Sequence, residues 1–90
     1  MSDKVTLTVL SIDGILLSKS VTFLKCKSTE GELGIYANHS SLVTNLIEGD
    51  IYITNEDESE EAYYISEGIL TVSPDEIKLF VDFLKLPTAF

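Results

Sequence analysis

Ninety residues leave room for one domain around one core, and 44 % hydrophobic residues with a mean hydropathy of +0.21 are enough to fill that core without disulfides or metals. The net charge of −9 opposes binding to nucleic acid or to an anionic lipid surface, because like charges repel over about a Debye length, and it favours a protein partner instead. The start Met1-Ser2-Asp3-Lys4 has no apolar signal region, and no apolar run approaches the roughly 18 residues needed to span a bilayer.

From the N-terminal side, Val5-Thr6-Leu7-Thr8-Val9-Leu10 alternates apolar and hydroxyl residues, the period of a half-buried strand. Asp13-Gly14 supplies a tight turn. Ile15-Leu16-Leu17 and Val21 to Lys27 read as two further strands, separated by the polar break Ser18-Lys19-Ser20. Cys26, the single cysteine, cannot close an intrachain disulfide; it suits a reducing compartment and reads as a small buried hydrophobe within its strand. Glu32 to Tyr36, Leu42 to Ile47 and Ile51 to Thr54 follow, the last two joined through a turn at Gly49. The acidic stretch Glu56 to Glu61 reads as a solvated tip, and the strands on either side of it, Ile51 to Thr54 and Ala62 to Ser66, form a hairpin. Gly68 precedes Ile69 to Val72, and the turn Pro74-Asp75-Glu76 leads into the alternating run Ile77 to Asp82. Short strands at this spacing predict a sandwich or barrel over residues 1–82. The remaining segment, 83–90, is an apolar tail that Pro87 interrupts; it is expected to pack back on its own domain.

Catalytic chemistry is sparse. His39 is the only histidine, and its neighbours Ser40 and Ser41 lack the strained turn on which a catalytic serine is usually presented, so a small His39-dependent hydrolase is the weakest reading. The acidic tip lacks the ligand spacing and central glycine of a calcium loop. Glu30 and Glu32 have no cleft around them, and Gly31-x-x-Gly34 opens no helix on which a phosphate would sit. Tyr36, Tyr52, Tyr63 and Tyr64 suit an interface, but each also suits a strand. No cofactor or metal is expected.

The run Thr29-Glu30-Gly31-Glu32-Leu33-Gly34-Ile35-Tyr36, continued through His39 and Leu42 to Gly49, is more specific. Two glycines three apart around a Glu-Leu pair imply backbone that turns sharply and passes close to a neighbour, with Glu32 facing outward. This run resembles the N-terminal domain of the epsilon subunit of F-type ATP synthases, called delta in mitochondria. Ser66 to Val72 and Ile77 to Asp82 resemble a later pair of that family's motifs, so the likeness runs from about Val5 to Asp82.

The resemblance implies an all-β, flattened β-sandwich of about ten strands. It implies a non-catalytic rotor subunit in the central stalk that binds the gamma subunit and the c-ring and couples ring rotation to ATP synthesis. By position, Ser11, His39 and Thr44 would lie towards gamma, and Gly31 and Glu32 towards the c-ring. The implied location is peripheral, on the cytoplasmic face of the inner or plasma membrane, or on the matrix or stroma side in an organelle, without membrane insertion. Ala37-Asn38 replaces the family's Pro-Gly, Ser40-Ser41 its Ala-Pro, and Glu67 a glycine; Asn38 tolerates the left-handed backbone that such a turn requires. Many bacterial members continue into a two-helix hairpin that binds ATP or brakes rotation. The sequence ends at Phe90 without that hairpin, and the expectation is a chain that does neither. The rival from another class is an acidic β-sandwich adaptor that serves a different assembly.

Overall fold

The computed structural model describes residues 3–87. Its nine strands are β1 (Val5–Ser11), β2 (Gly14–Ser28), β3 (Gly31–Tyr36), β4 (Leu42–Leu46), β5 (Gly49–Asn55), β6 (Glu60–Ile65), β7 (Gly68–Val72), β8 (Glu76–Val81) and β9 (Leu84–Lys85). The pairing order is β1-β8-β7-β4-β2-β5-β6-β9, with β3 also beside β2 and β1 also paired with β2. The β1–β2 pairing closes a circuit through β8, β7 and β4, whereas β3, β5, β6 and β9 extend from the second half of β2. The inward residues of the two layers, such as Leu7, Val9, Leu70 and Leu79 from one and Leu24, Ile35, Ile53 and Ile65 from the other, meet in one core.

The strand β2 corrects the expectation of two strands broken at Ser18-Lys19-Ser20. It runs unbroken for 15 residues. Ser18 and Ser20 pair with Thr8 and Thr6 of β1, and Lys19 pairs with the buried Leu7. Lys19 faces the core side at its rim and carries its ammonium out to Glu61, so the charge stays wet while the stem packs. The register shift between Val21 and Phe23 marks where β2 leaves β1 and takes β3 and β5 as neighbours.

The expected hairpin around the acidic tip is present, but Glu60 and Glu61 belong to β6 rather than to the loop. β9 covers only Tyr64 and Ile65 of β6, which leaves the Glu60–Glu61 end as an open edge; Glu60 is exposed there, and Lys19 holds the half-buried Glu61 carboxyl below its usual range. At the tip, Asp57 accepts hydrogen bonds from the Ser59 backbone and hydroxyl at 3.0 and 2.5 Å, which lowers its pKa as well. The first part of the apolar tail joins the sheet. Leu84 and Lys85 pair with Ile65 and Tyr64, and the Phe83 ring stacks on Tyr64 at 6.1 Å. Thr88, Ala89 and Phe90 lie outside the described residues.

Candidate docking face

In most strands here the alternation buries one side and leaves the other polar. At one end of the closed circuit both sides are apolar. Val9-Leu10, Leu46-Ile47, Ile69-Leu70 and Leu79-Phe80 each put one residue into the core and its neighbour outside. The register aligns the outward members in a row, Asn45 opposite Ile69, Ile69 opposite Phe80, and Phe80 opposite Leu10. Ile69 is 45 % exposed and Phe80 43 %. Val43 extends the face along β4, and Ile12 at the tip of the β1–β2 turn is 100 % exposed.

Leu10, Ile12, Ile47, Ile69 and Phe80 line an open groove of about 760 Å³, with Ser11, Thr29, Glu67 and Asp82 among its polar residues. An apolar face with a polar rim marks a protein interface.

The turns around the groove are fixed by short side chains. The Ser11 hydroxyl accepts a hydrogen bond from the Asp13 amide at 3.1 Å, holding the turn that projects Ile12. Ser28, nearly buried, donates to the Gly31 carbonyl at 2.9 Å and accepts from the Glu30 amide at 3.1 Å. The Thr29 amide donates to Asn45 and the Ile47 amide to Lys27, so the β2–β3 hairpin is tied to the end of β4. Gly31 holds φ at +122°, a conformation that L side chains rarely adopt, and this turn sends Glu32 out to solvent 3.7 Å from Lys25. At Gly34 the absence of a Cβ matters for a different reason: a methyl there would meet the Phe23 ring at 3.1 Å.

The five residues singled out in the sequence do not form one cluster. Ser11 lies on the groove, and Gly31 and Glu32 on the hairpin beside it. Thr44 is half-buried and shares the inner side of β4 with its partner Leu70, while Val43 and Asn45 point outward. His39 sits in the β3–β4 loop, away from the groove, with its amide bonded to Tyr36 and its ring Nδ1 2.7 Å from the Ser40 carbonyl. A carbonyl only accepts, so Nδ1 donates; the ring is engaged with backbone rather than with a serine hydroxyl. Asn38, just before it, adopts φ +66°, as its left-handed tolerance suggests.

Sequence reasoning missed Leu10, Ile12, Ile47, Ile69 and Phe80 as a surface. The signal was present in the adjacent apolar pairs, which a strand with one wet face does not need. Among the described residues, no group of three or more His, Cys, Asp or Glu side chains is placed to hold a metal, and no helix is long and apolar enough to cross a membrane.

Fold and face together define a class, a small closed β-sandwich with one apolar end face. A family model for the ATP synthase delta/epsilon chain, beta-sandwich domain, matches residues 4–86, and the chain belongs to that family. Among solved structures, it resembles a chain of the Euglena gracilis mitochondrial ATP synthase, OSCP/F1/c-ring, with a TM-score of 0.85 at 23 % identity over 93 % of this chain. A chain of the Tetrahymena thermophila mitochondrial ATP synthase central stalk and c-ring gives a TM-score of 0.75 at 16 % identity over 94 %. At these identities the likeness is one of fold. The present chain spans 54 % of the Euglena chain and 68 % of the Tetrahymena chain.

Proposed function

We propose that this chain is a non-catalytic central-stalk subunit of a rotary ATP synthase, joining the gamma subunit to the c-ring as a peripheral part of that membrane complex. The outward apolar row in a member of the delta/epsilon family is the observation that carries the reading. Covering such side chains stabilises a complex by roughly 1.5–3 kcal/mol for each one fully buried, before the costs of association. In this reading gamma covers Leu10, Ile12, Ile69 and Phe80, with Ser11 at the rim; Thr44, turned inward, and His39, in the β3–β4 loop, stand outside that contact. The β2–β3 hairpin presents Gly31 and Glu32 to the polar loops of the c-ring, where complementary charge sets register more than affinity. The closed strand circuit gives the stiffness that torque transmission demands, and no residue needs a catalytic pKa. The complex would hold the chain on the cytoplasmic, matrix or stromal side of its membrane.

Co-expression with gamma tests the gamma half of the proposal. Phe80→Asp should reduce co-purification at least tenfold, whereas Glu32→Gln should leave gamma binding intact and weaken retention of the c-ring. Equal recovery of gamma with Phe80→Asp and with the unaltered chain would contradict the proposed face.

A further inference from the structure

A second groove, of about 490 Å³, lies at the far end of β3 from the Gly31–Glu32 turn, and the docking proposal above does not use it. Its floor is the cross-strand pair Phe23 and Tyr36, whose ring centroids are 4.5 Å apart with planes tilted by 44°. Gly34, next to Tyr36 on the same face, has no side chain to push the Phe23 ring away. Tyr36 is 68 % exposed, a large aromatic surface that nothing in the domain covers among the described residues.

Three carboxylates rim this floor, from two segments remote in sequence: Asp3 ahead of β1, and Glu56 and Glu58 in the β5–β6 turn. The turn is defined, with the Glu58 amide donating to the Asn55 carbonyl at 3.0 Å and Glu58 itself at φ +70°. Lys4 meets Glu56 at 3.3 Å from outside the groove lining, and among the described residues Asp3 and Glu58 have no ion pair.

We infer that this groove receives an arginine side chain from a protein partner. A run of acids by itself is a solvated loop; here the acids stand around an open aromatic face, and the combination selects a cation with an apolar plane. A guanidinium stacks on an aromatic ring while its edge donates in fork geometry to carboxylates, whereas a lysine ammonium is a strongly hydrated point charge that gains less from the ring. The chain's net charge of −9 adds long-range attraction for a basic segment. The groove is separate from the apolar face, so one partner segment at each is sterically independent.

The test uses the full chain and the peptide acetyl-Gly-Arg-Gly-amide, with its citrulline and lysine counterparts, read by NMR shifts. The arginine peptide should shift Phe23, Tyr36, Ala37 and Thr54 in a saturable way. It should bind at least threefold more tightly than the lysine peptide and at least tenfold more tightly than the neutral citrulline one. Tyr36→Leu, which keeps an apolar strand residue, should cost at least fivefold in arginine affinity while the spectrum of the core stays unchanged; Glu58→Gln should also weaken binding. Shifts spread over Glu60, Glu61 and Asp75 instead, equal binding of lysine and arginine, or undiminished binding by Tyr36→Leu would overturn the inference.

Discussion

Cys26 shows how a single position records its surroundings. It is 1 % exposed, between Leu24 and Ser28 on the inner side of β2, and burial pushes its thiol from the ordinary 9.0 up to about 11. The thiolate is the reactive form, so the folded chain at pH 8 should react with a disulfide reagent only as fast as it opens, and rapidly once urea unfolds it. The same shift has a consequence for stability. With the folded pKa above the unfolded one, the contribution is fully present below pH 9 and is lost as pH rises towards 11, by an amount on the order of 2–3 kcal/mol. Urea titrations of the chain and of Cys26→Val across that range should diverge in this sense; parallel curves would remove the thiol from the account. Gly68 carries a different lesson at this scale. A Cβ there would lie 2.1 Å from the Phe80 carbonyl oxygen, which gives a steric reason for a glycine in that motif while its neighbour Glu67 is free to be charged.

Among the elements, the β2–β3 hairpin has the most local specification, since Ser28 satisfies both a carbonyl and an amide of the turn with one hydroxyl. Ser28→Ala leaves the amide of Glu30 and the carbonyl of Gly31 without this partner and should cost about 1–3 kcal/mol in urea unfolding. Faster hydrogen exchange at Glu30 should accompany it, and no loss of stability would show that water replaces the hydroxyl. Most strands were legible in the sequence because one wet face enforces alternation, as in Val5 to Leu10 and Ile77 to Asp82. The run Ser18-Lys19-Ser20 misled because local polarity suggests a break, whereas the side chain that matters, Lys19, is long enough to pack its stem and ionise at the rim beside Glu61. That partner is 42 residues away in sequence, and periodicity cannot see it. Leu84-Lys85 was read as tail for a similar reason: two residues have no period, and β9 exists because β6 offers an edge.

At the scale of the molecule, the nine strands of the described residues, joined in one closed circuit and its extension from the long β2, present two distinguishing surfaces, an apolar end face and a polar hairpin beside it. The motif around Gly31 and Gly34 was readable as a family signature, and the structure adds the physical reasons for those glycines. The apolar face was not legible, because Leu10 and Ile12, Ile69, and Phe80 come from three segments, β1 with its turn, β7 and β8, and each one looks like core by itself. Of the residues assigned by resemblance, Ser11 borders that face, while Thr44 looks inward and His39 stands apart, so the strand-borne hydrophobes carry the proposed gamma contact. The burial of Cys26 allows the cleanest test, since a cysteine introduced on the face would be the accessible thiol. Ile69→Cys should be modified readily by maleimide in the free chain and become protected at least tenfold in the assembled synthase. Equal labelling rates in the two states would contradict the claim that this face docks the chain into the stalk.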